Sequence, residues 1–291
     1  MAAATMPAGF AIFVLATTVL IIIHASPIFG EEAIVQIPFS YMGATGPSKW
    51  GSLKPGFSEC STGKSQSPID IPKGKVVLNK KLKPLTREYS YINATFVNNG
   101  FNIGLRCGKN TNLLISDGKA YIFSQLHWHS PSEHRIDGVQ YDAELHLVHI
   151  ADDGCIAVIG ILYHLGHPDP LIAKVQNKLY QLGIDMSGVK EGGQVALGTF
   201  NMHQLRKNAR KYYRYSGSLT TPPCNQTVAW YILGKVRSIS PEQVQALKAP
   251  LGWAYKNNSR PVQPLNGRLV ELYEERSLST CVFIMNDSFC A

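Results

Sequence analysis

Two short alternating runs constrain this chain more than anything else in it: Gln125-Leu-His-Trp-His129, followed by Ser-Pro, and Glu144-Leu-His-Leu-Val148. Residues 121–129 are rich in aromatic and β-branched side chains and stop at Ser130-Pro131, which predicts a strand ending near Ser130. Side chains alternate along a strand, so Gln125, His127 and His129 share one face and Leu126 and Trp128 the other. The run 143–150 likewise puts Glu144, His146 and Val148 on one face and Leu145, Leu147 and His149 on the other. Paired antiparallel, the two strands would bring His146 beside His127 and His129. Three imidazoles with an open fourth position are the ligand set of a catalytic zinc rather than of a closed structural one.

Any single histidine is more often a surface or hydrogen-bonded core residue than a ligand, and a lone H-x-H is an ordinary pattern. The company of these three shifts the balance. Gln125 stands two before His127 and Glu144 two before His146, each a same-face neighbour able to fix a ring. Such groups on the inner face of a sheet would be costly without a metal or a network to satisfy them.

The 291 residues are 45% hydrophobic and 16% charged, an ordinary globular composition that fits one domain. Lys and Arg outnumber Asp and Glu by 28 to 20, a net charge of +8. The excess is scattered rather than clustered. The modest group Lys73, Lys75, Lys80, Lys81 and Lys83 reads as a solvated face, so no nucleic-acid partner is expected. Residues 1–30 hold no Lys, Arg, Asp or Glu, and the apolar run 10–23 is short for a membrane span and is followed by small residues and a proline. We read residues 1–25 as a signal peptide cleaved within 25–30, residues 31–275 as the domain and 276–291 as a tail. No stable membrane span is expected after removal of the leader. The route implied is secretory, ending outside the cell, in the apoplast, or in an organelle reached through the endomembrane system.

In that compartment some of Cys60, Cys107, Cys155, Cys224, Cys281 and Cys290 should pair, although six cysteines allow 15 full connectivities. Sequons at Asn93, Asn225, Asn257 and Asn286 suit the same compartment. Strands are expected at 90–98 and 101–107, a helix at 170–182, and a helix start at Ser240-Pro-Glu-Gln243 with a capping box. Strands predominate, so the fold class expected is a β-dominated α+β domain. In Tyr215-Ser-Gly-Ser-Leu-Thr-Thr-Pro-Pro-Cys224, two prolines hold the preceding threonines out of a helix, in a rigid loop suited to presenting hydroxyls.

That loop, with Gln66-Ser-Pro-Ile-Asp70, Asn99-Gly100, the two histidine strands and Arg260-Pro-Val-Gln-Pro264, resembles the α-class carbonic anhydrases from about Tyr41 to Arg268. Ser-Pro-Ser-Glu133-His and the early Cys60 are most like the secreted plant members. The resemblance implies a single domain around a large, mostly antiparallel twisted sheet with a few surface helices. It implies Zn²⁺ held by His127, His129 and His146, with Gln125 and Glu144 behind them. It places Glu133 and Thr220 as the pair orienting zinc-bound hydroxide, and Tyr41 and Asn99 as residues ordering active-site water. Val148, Val158, Leu219, Val228 and Trp230 match the carbon dioxide pocket, with Thr221 beside it, and Cys60 with Cys224 the pair bridged in extracellular members.

The activity implied is reversible hydration of carbon dioxide to bicarbonate and a proton by attack of zinc-bound hydroxide. A wall of Val, Leu and Trp suits an uncharged apolar substrate and should release charged bicarbonate. A fold-alike storage, binding or adhesion protein is the rival, although relatives of that kind often lose a zinc histidine and this chain keeps all three. An esterase using the same hydroxide is the second. Three departures from the family pattern stand out. Gln226 replaces a common Glu; the tail carries Cys281 and Cys290, spaced to close a small loop; and Phe101 follows Asn99-Gly100 where fast members carry a proton-shuttling histidine. Proton transfer is therefore expected to limit turnover. Oligomeric state stays open.

Overall fold

Strands outweigh helices in this chain, as its period-two alternation leads one to expect. In the computed structural model, which describes residues 37–184, 193–206 and 209–275, Lys119–His129 pairs antiparallel with Ala143–Ile150, and that strand with Ile156–Leu165. Around these three grows a sheet of 13 strands among the described residues. Its main path runs Gln194–Asn201, Tyr91–Asn98, Ile103–Cys107, Lys119–His129, Ala143–Ile150, Ile156–Leu165, Gln226–Leu233, Lys211–Ser218, Glu271–Glu274, Val77–Leu78. Most neighbours are antiparallel; Ile156–Leu165 against Gln226–Leu233 and Glu271–Glu274 against Val77–Leu78 are parallel. The result is the β-dominated α+β fold, a large twisted sheet with few, short helices, that the sequence led us to expect.

Alternation gives the sheet two different faces. Leu126, Trp128, Leu145, Leu147, Ile159 and Ile161 turn into the main core, where Leu171, Ile172 and Leu179 from the helical segment cover them. Each such side chain contributes about 1.5–3 kcal/mol by leaving water. The opposite face carries the histidines. Tyr91–Asn98 runs as expected to within one residue, while Ile103–Cys107 starts two residues later than expected because Gly100 turns the chain at φ 80°, with its N–H donated to Asn98 Oδ1 at 2.8 Å.

The helix expected at 170–182 is two helices, Pro170–Ala173 and Gln176–Ile184. Between them the chain tightens to i→i+3 bonds, Val175 N to Ile172 O at 3.0 Å and Lys178 N to Val175 O at 2.9 Å. The tightening loses no apolar burial, since Leu171, Ile172, Val175, Leu179 and Leu182 are all buried. Helix Pro241–Lys248 starts on the expected capping box, with Ser240 and Gln243 exchanging bonds at 3.3 Å. Gln243 also exchanges two bonds with the backbone of Asp169, at 2.7 and 2.9 Å, which ties the two helix starts together.

Lys73, Lys75, Lys80, Lys81 and Lys83 are exposed. Among the described residues no helix is long and apolar enough to cross a membrane. The leader at 1–25, Asn286, and the tail with Cys281 and Cys290 lie outside the described residues.

Candidate metal centre

The antiparallel register sets His146 directly opposite His127, and Glu144 opposite His129. His127 meets the other two rings edge to face, with centroids 5.0 Å from His129 and 5.1 Å from His146, and His129 and His146 are tilted to each other at 4.7 Å. Each ring is also held from outside by an acceptor. His127 Nδ1 lies 2.9 Å from Gln125 Oε1, His129 Nδ1 lies 2.6 Å from the carbonyl of Asn258, and His146 Nε2 lies 2.9 Å from Glu144 Oε1. An amide oxygen, a carbonyl and a carboxylate can only accept, so each imidazole must keep its proton on that outward nitrogen. The inward nitrogens, Nε2 of His127, Nε2 of His129 and Nδ1 of His146, are left as three lone pairs facing one point.

Those donors fit a zinc ion. One ligand atom from each histidine falls within 4.8 Å of the others. His146 Nδ1 and His127 Nε2 are 3.3 Å apart; two nitrogens at zinc-bonding distance and tetrahedral angle would be separated by about 3.3 Å. His129 Nε2 is buried and has no hydrogen-bond partner. Burial pulls the pKa of all three rings below the ordinary value, His129 to about 4, so they are neutral near pH 7, the form that binds metal.

Glu144 is the hub behind the ligands. Its Oε2 accepts the backbone N–H groups of Glu133 and His134 at 2.9 and 2.8 Å, and its Oε1 also meets His134 Nδ1 at 2.8 Å. Burial acts to raise its pKa, but the adjacent His134 and His146 hold it well below the usual range. Space for this carboxylate comes from Gly160, the cross-strand partner of His146, where a Cβ would sit 2.8 Å from Glu144 Oε1. His134 passes the network on, its Nε2 2.6 Å from the hydroxyl of Tyr215, which meets Ser67 Oγ at 2.8 Å.

Glu133 lies on the inner side of the ligands, its Oε2 3.5 Å from His129 Nε2 and 3.9 Å from His146 Nδ1. Its Oε1 accepts the backbone N–H of Arg260 at 2.9 Å. Burial raises its pKa to about 7, against the lowering influence of His146, Arg260 N–H and the Thr220 hydroxyl; a divalent cation at the histidines would favour the ionised form. Thr220 is buried and Thr221 half-buried, on the loop after Lys211–Ser218. Burial, and after it the nearby Glu133 carboxylate, push the Tyr41 hydroxyl well above its ordinary pKa, and that buried hydroxyl has no partner among the described residues.

The five apolar pocket candidates fall in one cluster: Val158, Val228 and Trp230 are buried in it, and Val148 and Leu219 pack against it half-exposed. Val148 stands opposite Val158, and Val158 opposite Trp230, in register. The Trp230 ring is 4.8 Å from His146, so the apolar wall touches a ligand. Asn99 is less free than its assignment needs, since its amide donates to Asn102 Oδ1 at 2.7 Å and accepts from Arg106 at 2.6 Å. Phe101 packs instead against Phe39 at 5.2 Å, within the cluster formed by Trp50, Cys60 and Cys224.

Cys60 and Cys224 form a disulfide, while Cys107 and Cys155 are free thiols. Arg260, buried, donates three bonds at 2.8 Å each, to Gln66 Oε1 and the carbonyl of Ser67 in one loop and to the carbonyl of Cys60 in helix Glu59–Thr62. Gln226 accepts from Ser65 N–H at 2.6 Å, a contact to backbone rather than to the ligands. Asn93, Asn225 and Asn257 are exposed. Sequence reasoning missed Asn258, whose backbone carbonyl holds His129 and whose side chain accepts from Ser130 N–H at 2.9 Å and donates to the carbonyls of Phe101 and Trp128 at 3.0 and 3.2 Å. It also missed the roles of His134, Tyr215 and Ser67, although each lies inside a motif already singled out.

Comparison with known proteins follows the same lines. Residues 45–274 match the family model for eukaryotic-type carbonic anhydrase. The chain is 39% identical over 228 residues to alpha carbonic anhydrase 7 of Arabidopsis thaliana, covering 78% of this chain and 81% of that one. Among solved structures, a dioscorin complexed with ascorbate superposes with TM-score 0.79 at 34% identity, over 82% of this chain and 99% of its own. The α-carbonic anhydrase of Thermovibrio ammonificans, in complex with the inhibitor sulfanilamide, gives 0.71 at 36% identity, over 80% and 98%.

Proposed function

Since the chain belongs to the eukaryotic-type α-carbonic anhydrase family, we propose that it is a zinc enzyme that reversibly hydrates carbon dioxide to bicarbonate and a proton. The observation that carries this reading is the set of three neutral imidazoles whose outward protons are all claimed by Gln125, Asn258 and Glu144, leaving three inward lone pairs. His127, His129 and His146 would hold the ion, which when bound acts as a Lewis acid and, as is general for carbonic anhydrases, lowers the pKa of a coordinated water to about 7.

The chain's own residues do the rest. Ionised Glu133 can only accept, so the Thr220 hydroxyl donates to it and keeps its lone pairs for a donor arriving from the metal side. That selects one orientation of the nucleophile, and orientation is where effective molarity comes from. Val148, Val158, Leu219, Val228 and Trp230, with Thr221 at the side, offer carbon dioxide an apolar wall. Bicarbonate, charged, is poorly held there and leaves. Tyr41 and Asn99 are the candidates for ordering water at the mouth, and Phe101, which carries no proton, leaves that step to solvent or buffer. The disulfide and the exposed sequons support passage through the secretory route after loss of the leader. Zn²⁺ is the cofactor and carbon dioxide or bicarbonate the partner; no nucleic acid is expected.

The likeness to dioscorin, a protein crystallised with ascorbate, favours a second reading, a binding or storage protein with little turnover. Stopped-flow hydration of carbon dioxide on purified protein separates the two. The expected result is one zinc per chain, with metal and activity both lost in His129→Ala, because two ligands leave a far weaker site. A metal-free wild type that still hydrates carbon dioxide would sink the zinc assignment, and a zinc-loaded protein without turnover would favour the binding protein.

A further inference from the structure

A cavity of about 940 Å³ that shares no residue with the metal centre is bounded by Arg87, Arg210, Lys211, Lys235 and Arg237, and among the described residues Glu275 is its only acidic lining residue. Three of these cations are matched: Arg237 with Asp169 at 2.5 Å, Lys211 with Glu274 at 3.1 Å and Arg210 with Glu275 at 3.3 Å. Among the described residues Arg87 and Lys235 have no carboxylate partner. Arg87 is the unusual one, because it is only 4% exposed and its Nε and Nη2 have no hydrogen-bond partner. Gln204, on the same wall, adds a third buried donor, Nε2, also without a partner.

A buried guanidinium with no counter-charge is costly, and burial accordingly pulls its pKa down. Neutral groups could satisfy its N–H donors but not its charge. A planar fork of N–H donors matches the oxygens of phosphate or carboxylate in pairs. Buried, unpaired Arg87 with Lys235 exposed at the mouth favours a dianion over a monoanion. Ile161, Leu205 and Leu233 on the remaining wall give an apolar body somewhere to lie.

From this geometry we infer a second binding site, for a small phosphorylated molecule whose phosphate is gripped by Arg87 and Gln204 and capped at the mouth by exposed Lys235. The site is independent of the metal chemistry, so the two readings stand or fall separately. The test is calorimetric titration of the full protein at constant ionic strength with three probes: inorganic phosphate, phenyl phosphate and benzoate. Saturable binding is expected for both phosphates, tighter for phenyl phosphate, and weak for benzoate. Arg87→Met should weaken phosphate binding at least about tenfold, the loss of one charge-assisted contact, with carbon dioxide hydration unchanged. Should that variant not fold, Lys235→Gln serves, with a severalfold loss and a shallower salt dependence. Absence of saturable phosphate binding, benzoate binding as tight as phenyl phosphate, or unaltered affinity in both variants would overturn the proposal.

Discussion

At the residue scale the centre is a problem in proton placement. His127, His129 and His146 could each present either nitrogen, and it is an amide, a backbone carbonyl and a carboxylate that decide which one faces inward. The same scale governs Phe101. In the proposed hydration each cycle would leave a proton to be carried out of the site, and the best relay is a group titrating near ambient pH. Phe101 cannot titrate. Nor can a neighbour replace it readily: Tyr41 is pushed well above its ordinary value by burial, and both nitrogens of His134 are taken by Glu144 and Tyr215. Turnover should therefore rise with imidazole-type buffer while kcat/KM, set by the carbon dioxide step, responds little. Phe101→His should raise turnover in dilute buffer about tenfold or more and add nothing in concentrated buffer. Buffer-independent turnover in the wild type, with no gain in the variant, would mean that another relay exists.

At the element scale the Thr220 loop is a bridge between the sheet and the N-terminal segment. Cys224 at its end joins Cys60 of helix Glu59–Thr62 across 164 residues of sequence, and Gln66 Nε2 donates to the Cys224 carbonyl at 3.0 Å. Arg260 binds the carbonyl of Cys60 and, through its own N–H, Glu133. Loss of the disulfide is thus felt at both members of the Glu133 and Thr220 pair. Cys60→Ser with Cys224→Ser should cost about 2–5 kcal/mol by denaturant unfolding and should lower kcat at temperatures where the protein remains folded. Unchanged kcat in a measurably destabilised variant would show that the loop keeps its position without the bridge.

On the scale of the whole molecule, buried neutral histidines should shape acid stability. His149, on the core face, contacts the Tyr89 hydroxyl through Nε2 at 2.6 Å and stacks on that ring, and burial lowers its pKa from 6.5 to about 3. A base whose folded pKa is depressed binds fewer protons folded than unfolded. Its contribution is fully present above pH 6.5 and is lost as pH falls toward 3. His129, lowered to about 4, adds to the same slope once metal is removed. Chelator-treated protein should lose stability steadily below pH 6.5, and His149→Leu should flatten that slope relative to the wild type. Parallel pH profiles for the two would remove His149 from the account.

Residue type and spacing alone placed the four strands at 90–98, 101–107, 121–129 and 143–150, near their observed bounds, because a period of two is a local property. The same alternation put Gln125, His127 and His129 on one face and Glu144, His146 and Val148 on one face of a second strand. The residue types Ser240-Pro-Glu-Gln243 likewise marked the capping box. Tertiary structure decided what depends on two distant segments meeting. The register that sets His146 opposite His127, the carbonyl of Asn258 that fixes His129, and the Gly160 gap that admits Glu144 each join parts of the chain whose pairing no local pattern specifies. Asn99 and Phe101 carry the same lesson in reverse. Their positions in the motif are plain from sequence, yet whether Asn99 keeps a free amide, or which way the Phe101 ring turns, depends on Arg106 and Phe39, which reach them only through the fold. The helical stripe at 170–182 was likewise legible while its break was not, because i→i+3 and i→i+4 bonds bury the same side chains. Burial, not periodicity, decides which charges are left uncompensated, so Arg87 became conspicuous only once the sheet and the loops had closed over it.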